Sequence, residues 1–172
     1  VFSSVTAGEI NGDGLPDVII GDLSGNIYLY RNLGTSLQLS PFFFTGLNFG
    51  PWSCPRLVDM DMDGDLDLVV GGVNGTLAYL ENTGDALSPN WTLVNGFFEG
   101  INVGYQASPS FADLDEDGDL DLVIGNGWGE VVCYEQEDGI WQLNSTLLDN
   151  IQVDENAIPA LVDLDHDGDY DL

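Results

Sequence analysis

The chain has 172 residues and a formal net charge of -28, and 44% of its residues are hydrophobic. That hydrophobic share is large enough for a folded core, which excludes wholesale disorder, and the length suits one domain over residues 1–172. Only Arg31 and Arg56 are basic. Such a surface repels nucleic acid and anionic membranes, so neither is expected as a partner. The sequence contains no run of 18 apolar residues, so no membrane-spanning segment is expected.

A nine-residue acidic pattern recurs four times in chain order. Loops 1 to 4 occupy residues 9–17, 59–67, 113–121 and 163–171. Each has oxygen-bearing side chains at positions 1, 3, 5 and 9 and a glycine at position 6, namely Gly14, Gly64, Gly118 and Gly168. The loops hold three, five, six and five acidic residues, together nineteen of the 30 in the chain. A salt-adapted surface would scatter its acids, so the fixed spacing indicates oxygen cages for a hard cation.

Strand and turn signals surround every loop. The first three loops are each followed by an apolar run that ends in glycine, then by a turn and a second run of β-branched, apolar or aromatic residues. In chain order these runs are 18–21, 27–30, 68–71, 77–80, 122–125 and 131–134. The runs right after the loops are apolar throughout, which is typical of strands covered on both faces, and Asn74-Gly75 favours a tight hairpin turn.

These patterns predict the architecture. No segment shows a sustained helical period, so no helix is expected. About four short strands in each unit of about 50 residues is typical of a β-propeller blade. The sequence therefore predicts an all-β fold of antiparallel blades, with three full repeats and the start of a fourth that ends at Leu172.

The repeat resembles the FG-GAP and VCBS-type repeats, best known from the calcium-binding propeller of integrin α subunits. The likeness spans essentially all 172 residues and is most specific at the acidic loop followed by an apolar strand and glycine. The literal Phe-Gly element occurs only at Phe49-Gly50 and the Gly-Ala-Pro element is missing, so the chain departs from the integrin form. The resemblance implies that each loop joins two adjacent strands of one blade and holds a calcium ion.

The resemblance also implies the ligands. Positions 1, 3, 5 and 9 would supply side-chain oxygens and position 7 a backbone carbonyl, giving about four Ca²⁺ ions. The implied set is Glu9, Asn11, Asp13, Leu15 and Asp17; Asp59, Asp61, Asp63, Asp65 and Asp67; Asp113, Asp115, Asp117, Asp119 and Asp121; and Asp163, Asp165, Asp167, Asp169 and Asp171.

Other metal sites fit the sequence less well. An EF-hand needs a glutamate at position 12 and flanking helices, but Ile20, Val70 and Ile124 stand there. Magnesium prefers fewer protein ligands and keeps its waters. Transition metals prefer imidazole and thiolate, and the one histidine, His166, lies at a non-ligand position.

The predicted compartment is extracellular or the cell surface, because weak calcium sites operate at millimolar calcium outside cells. Three glycosylation sequons agree with secretion, at Asn74, Asn90 and Asn144, and each is expected in a turn or loop. Cys54 and Cys133 leave two alternatives open, a disulfide or two separate buried thiols.

No catalytic constellation is found, so the chain is not expected to be an enzyme. Trp91 and Trp141 precede apolar runs and are expected to pack between blades, whereas Trp128 lies between two glycines and is the expected exposed contact residue. Three functions remain. The first is a calcium-stabilised adhesion or recognition module with a protein or glycan ligand. The second is a structural subunit of a glycosylated filament, in which copies of the chain complete one another's blades. The third is a non-catalytic propeller attached to a secreted enzyme.

Overall fold

The computed structural model describes residues 3–40, 44, 47–85, 88–137, 139–148, 151–167 and 169–172. Its regular elements are twelve β-strands in three four-stranded sheets. Blade 1 contains β1 (Ser3–Gly8), β2 (Asp17–Asp22), β3 (Ile27–Asn32) and β4 (Leu37–Ser40). Blade 2 contains β5 (Cys54–Val58), β6 (Asp67–Gly71), β7 (Leu77–Asn82) and β8 (Trp91–Val94). Blade 3 contains β9 (Ser108–Ala112), β10 (Asp121–Gly125), β11 (Val131–Glu137) and β12 (Ile140–Asn144).

Each blade is an antiparallel meander whose strands pair in chain order. The first strands of successive blades contact one another, β1 with β5 and β5 with β9. The blades therefore radiate from a common axis as in a propeller, and the ring is not closed by the part of the chain that the structure describes. The predicted all-β fold of four-stranded antiparallel blades is confirmed.

The second strand of each blade shows why the apolar runs are needed. Leu68 and Val70 of β6 pack in the core shared with blade 1, and Val69 between them packs in the core shared with blade 3. Because successive side chains of a strand point to opposite faces, a strand with a blade on each side is apolar at every position. The strands β6 and β10 are buried along their whole length, whereas β2 is half-buried at alternate residues.

The two tryptophans expected to pack between blades do so. Trp91 stacks on Phe44 with ring centroids 5.1 Å apart beside the core of blades 1 and 2. The ring centroids of Trp141 and Phe98 lie 5.4 Å apart beside the core of blades 2 and 3. Trp128 is 56% exposed, as expected.

The glycine that ends each apolar run lies where the next repeat approaches through its backbone. A Cβ atom at Gly71 would collide with the carbonyl oxygen of Ala107, and one at Gly125 with that of Ala157. Beside these glycines, the Ala107 amide donates to the Gly72 carbonyl (3.0 Å) and the Ala157 amide to the Asn126 carbonyl (2.9 Å). The repeats thus join through main-chain hydrogen bonds at positions that exclude a side chain.

The start of the fourth repeat, residues 151–172, docks on blade 3 as blade 2 docks on blade 1. The Leu161 amide donates to Ser110 Oγ at 3.2 Å, and the Leu57 amide donates to Thr6 Oγ1 at the same distance. A bridge joins Val162 to Asp171 across loop 4. Gly168 of that loop lies outside the described residues.

Both cysteines are free and buried, so the alternative of two separate thiols holds. The Cys54 sulfur lies 3.1 Å from Ser4 Oγ and 3.2 Å from Ser108 Oγ, and the three side chains form a row across β1, β5 and β9. The row adds polar contacts between the axial strands of all three blades.

Arg56 of β5 joins every repeat at the axis. Its Nε donates to the Pro109 carbonyl (2.9 Å), Nη1 to the Val5 carbonyl (3.5 Å) and Nη2 to the Pro159 carbonyl (3.4 Å). The acceptors belong to blade 1, blade 3 and the fourth repeat. One of the two cations in the chain therefore fixes the relative positions of four units.

We expect Arg56→Met to lower the free energy of unfolding by about 2 kcal/mol, because it removes charge-assisted hydrogen bonds to three carbonyls. Arg31→Met is the matched control, since it makes the same charge change at an exposed site on β3 and should stay within about 0.5 kcal/mol of the parent. Urea unfolding at fixed calcium measures both. Equal losses in the two variants would assign the effect to net charge and not to the axial contacts.

Candidate metal centres

The first three acidic loops each join the first and second strands of a blade, which is the placement that the resemblance implied. Loop 4 follows the same course between the bridged residues Val162 and Asp171. All four loops therefore lie at equivalent places in the repeat, at the same ends of their strands.

The loop backbone turns through two left-handed residues. At position 6, Gly64 and Gly118 have φ values of 97° and 100°, which L-residues with a side chain rarely adopt. Position 4 is left-handed as well, with φ of 59° at Met62, 61° at Glu116 and 63° at His166. The sequence pattern identified position 6 but not position 4, because methionine, glutamate and histidine carry no signal of positive φ.

Side chains at positions 3 and 5 hold this turn from within. In loop 2 the Asp63 amide donates to Asp61 Oδ1 (3.3 Å) and the Asp65 amide to Asp63 Oδ1 (3.0 Å). The same two bonds recur in loops 1, 3 and 4. Because an oxygen of each of these side chains accepts a backbone amide, the side chains at positions 3 and 5 are held close to the turn.

Three loops bring their acidic oxygens close enough to share one ion. In each of three groups the candidate ligand atoms all lie within 4.8 Å of one another: Asp59, Asp61 and Asp63; Asp113, Asp115 and Asp121; and Asp163, Asp165 and Asp171. Oxygens that bind one calcium at about 2.3–2.6 Å can be at most about 5 Å apart. The spacing therefore suits one calcium in each of loops 2, 3 and 4.

Loop 1 is arranged differently, and none of the acidic groups found among the described residues includes it. The Asn11 side-chain amide donates to Asp17 Oδ2 at 2.7 Å. The Glu9 carboxylate accepts the backbone amides of Asn11, Gly12 and Gly14, and these bonds hold its pKa below the usual value although burial opposes them.

The aspartate at position 9 ties three parts of the blade together. Asp17, Asp67 and Asp121 are at most 1% exposed. Each accepts through Oδ1 a backbone amide of the third strand, from Asn32, Asn82 and Gln136 at 2.7, 2.6 and 3.1 Å. Through Oδ2, Asp67 and Asp121 accept the amide of loop position 2 at 3.2 and 2.9 Å. This residue therefore holds the loop and the third strand together through hydrogen bonds, in addition to being a predicted ligand.

The surroundings of that aspartate differ between blades in a way that the sequence did not reveal. In blade 2 the buried Tyr79 hydroxyl donates to Asp67 Oδ2 at 2.8 Å. At the equivalent register in blade 3, Cys133 is buried, and its pKa is raised to about 12 by burial and by the charge of Asp121. That thiol stays protonated near neutral pH and is unreactive.

Several loop carboxyls are poorly accommodated as bare anions. Burial raises the pKa of Asp67 to about 6, against hydrogen bonds from Asn82, Tyr79 and Met60 that lower it. Burial also raises the pKa of Asp121. The pKa of Asp65 is raised by burial and by the charge of Asp63. Crowded acids without a counter-ion take up protons in this way.

Buried oxygens without a hydrogen-bond partner supply the test of fit. Among the described residues, Oδ1 of Asp59, Asp65 and Asp113 is buried and accepts no hydrogen bond. Such atoms are rare in native proteins and cost free energy unless a ligand satisfies them. They belong to loops 2 and 3, where hard oxygen donors suit calcium. The Asp65 side chain, at position 7, was not expected to matter, since only its carbonyl was predicted as a ligand.

The sequons differ in their surroundings. Asn74 is exposed in the turn between β6 and β7, and Asn90 is exposed next to β8. The expectation that all three lie in turns or loops is wrong for Asn144, which is the last residue of β12 and pairs with Cys133. Its amide nitrogen donates to Glu135 Oε1 at 2.6 Å in a half-buried position. Residues 140–143 pair with β11 along their length, and this pairing extends the strand to Asn144.

Comparison with known proteins finds one family. The model of the FG-GAP-like repeat matches residues 10–70 and 59–124, which include loops 2 and 3 entire and loop 1 from Ile10. No curated protein matches the chain. No helix among the described residues is long and apolar enough to cross a membrane.

We expect Tyr79→Phe to raise the pKa of Asp67 above about 6 by about one pH unit, because the variant loses a hydroxyl that stabilises the carboxylate. The folded-state pKa already exceeds the unfolded value of about 3.9, so in calcium-free protein this group favours folding at low pH. Its contribution is lost as pH rises through the folded-state pKa, and the variant moves that loss to higher pH.

Carboxyl NMR titration in chelator measures the change. Tyr28→Phe is the control, since Tyr28 donates to Asp22 at an exposed site and should leave Asp67 unchanged. An unaltered Asp67 titration in Tyr79→Phe would contradict the proposed role of the hydroxyl.

Proposed function

Because the chain belongs to the FG-GAP-like repeat family, we propose that it is a calcium-stabilised, non-catalytic β-propeller module for adhesion or recognition outside the cell. The observation that carries the proposal is the combination of clustered carboxylates and buried, unpartnered oxygens in loops 2 and 3. Loop 4 contributes a third cluster. A bound cation would satisfy these oxygens and remove the repulsion between them.

The residues of each loop have different roles. Positions 3 and 5 hold the turn through their own backbone hydrogen bonds, so their free oxygens need little reorganisation on binding. Position 9 is fixed to the third strand and would connect the ion to the blade, while position 1 would connect it to the end of the first strand. Calcium supplies the positive charge that allows these carboxylates to remain ionised together.

The expected energies make calcium a folding cofactor and not a signal. Extracellular modules bind calcium with Kd values of about 10⁻⁴–10⁻³ M. At the tighter end of that range millimolar calcium is about ten times Kd, and one site adds about 1.4 kcal/mol to stability. Three such sites would add about 4 kcal/mol, which is a large part of the stability of many domains.

The ligand surface that we favour includes Trp128. This side chain lies in the turn between β10 and β11, at the opposite end of β10 from loop 3, and tilts against Tyr105 with ring centroids 6.0 Å apart. An exposed tryptophan supported by a half-buried tyrosine supplies apolar contact area for a protein or glycan. Asn74, in the equivalent turn of blade 2, is the sequon best placed to carry a glycan, because its side chain is exposed in a hairpin turn.

We expect chelation to lower the melting temperature by roughly 8–16 °C, the effect of about 4 kcal/mol on a chain of this size. Scanning calorimetry in millimolar calcium and in chelator measures the difference, and magnesium in place of calcium should restore little of it. An unchanged melting temperature in chelator would remove calcium from the proposal.

A matched pair of variants localises the effect within loop 3. Asp113→Asn alters the carboxylate that has a buried, unpartnered oxygen, and it should weaken the calcium-dependent gain by about a third. Glu116→Gln makes the same charge change in the same loop at an exposed non-ligand position, and should leave the gain intact. Equal effects of the two variants would indicate general charge repulsion instead of a site.

A second function, assembly between copies of the chain, is favoured by one observation. The last described residues expose large apolar side chains, including Leu164 (71%), Tyr170 (49%) and Leu172 (51%). Beside them is a cavity of about 310 Å³, whose lining combines apolar side chains, among them Leu147, Leu148 and Leu161, with the acidic residues Asp113, Glu116 and Asp169. Clustered exposed apolar surface of this kind is typical of protein–protein contacts, and a strand from another copy could cover it.

If copies assemble through this face, light scattering in calcium should show polymers that grow with protein concentration, and Leu164→Asp should abolish them. Leu93→Asp is the control, because it places the same charge at an exposed leucine of β8 away from the cavity. Monomers at all concentrations would leave the adhesion or recognition module as the sole proposal.

A further inference from the structure

We infer that loop 1 does not take up the cation proposed for the other three loops, because amide groups of loop 1 already occupy both carboxylate oxygens of Glu9 and one oxygen of Asp17. The inference rests on the calcium binding proposed for loops 2 to 4. The expected number of bound calcium ions is therefore three and not the four that the repeat pattern predicts. The conformation of loop 1 should not depend on calcium.

The first step concerns position 3. In loops 2, 3 and 4 this position is an aspartate whose carboxylate joins the acidic cluster. In loop 1 it is Asn11, whose side-chain nitrogen donates to Asp17 Oδ2 at 2.7 Å, while its side-chain oxygen accepts the Asp13 amide at 3.1 Å. The amide hydrogens therefore lie against the position-9 carboxylate, on the side where the other loops present a second anion.

The second step concerns position 1. Glu9 is one methylene longer than the aspartate of the other loops, and its carboxylate reaches further into the turn. Oε1 accepts the amides of Asn11 (2.8 Å) and Gly12 (2.7 Å), and Oε2 accepts the amide of Gly14. Both oxygens are thus satisfied by the backbone.

The contrast with loops 2 and 3 is direct. There the position-1 aspartate accepts only the amide of the position-6 glycine, at 3.1 Å, through Oδ2, and its Oδ1 is buried without a partner among the described residues. A ligand therefore gains an unsatisfied oxygen in loops 2 and 3. In loop 1 it would have to break hydrogen bonds that are already formed, which costs free energy.

Charge acts in the same direction. Loop 1 holds three acidic residues, against five in loop 2 and six in loop 3. The carboxylates of loop 1 therefore repel one another less than those of loops 2 and 3, and they attract a calcium ion less strongly. Local amide hydrogen bonds can therefore complete the turn in loop 1, whereas loops 2 and 3 need an external cation.

Calorimetric titration of the calcium-stripped full chain with calcium chloride tests the inference. We expect three ions per chain. The double variant Glu9→Asp with Asn11→Asp, which gives loop 1 the ligand types of loop 2, should bind four. Asp61→Asn, which gives loop 2 the position-3 residue of loop 1, should bind two.

The outcomes separate the inference from the proposal beneath it. Four ions in the parent chain would overturn the inference and leave calcium binding intact. No binding in the parent would overturn calcium binding itself. Three ions in the double variant would overturn the roles given to Glu9 and Asn11.

Amide hydrogen exchange on the parent chain provides a readout that needs no variant. The Gly12 and Gly14 amides should exchange slowly at the same rate in calcium and in chelator. The Gly64 and Gly118 amides should be protected by calcium and lose that protection in chelator. Calcium-dependent slowing at Gly12 and Gly14 would overturn the inference.

Discussion

The hydrogen bonds of the buried position-9 aspartate are the constraint on which the rest of the repeat depends. One oxygen of Asp67 holds the end of the third strand and the other holds the first turn of the loop. The loop, the second strand and the third strand therefore share one carboxylate that has no access to solvent. Burying such an anion costs several kcal/mol unless it is hydrogen-bonded or paired with a cation. This cost makes the blade depend on the hydrogen bonds that Asp67 accepts, and it would link folding to the calcium that we propose for the loop.

The blades join through contacts that leave little room for variation. Main-chain hydrogen bonds cross from one repeat to the next beside glycines that admit no side chain. The β6 strand supplies apolar residues to the cores on both its faces. A repeat placed between two others therefore has its backbone path and its second strand fixed by its neighbours. Its loops and fourth strand remain exposed and free to differ.

Much of this arrangement could be predicted from the sequence, because the signals are local and repeated. The loop spacing gave the repeat, and the apolar runs gave strands covered on both faces. The sequence predicts that Gly71 ends a strand. It does not reveal why a glycine is needed there, because the carbonyl of Ala107 that approaches it belongs to the next repeat. The left-handed position 4 was missed because Met62 and Glu116 are not residues that indicate positive φ.

Contacts between distant residues explain the other differences. Nothing in the sequence places the Tyr79 hydroxyl on Asp67, since the two are joined only by the pairing of β6 and β7. Asn11 fits the ligand pattern by residue type, because an amide offers an oxygen as well as a nitrogen. The structure turns the nitrogen to Asp17, and this orientation distinguishes loop 1 from the others. The same limit applies to Arg56, whose acceptors lie in three other repeats.

The position of Arg56 makes the second repeat unlike a module that can be copied. At the equivalent register blades 1 and 3 have Thr6 and Ser110, both with short side chains. A duplicated second repeat would bring a second guanidinium group to the axis, and like charges close together repel. Copying this repeat therefore carries an electrostatic cost that is absent for a repeat with a small residue at the axis.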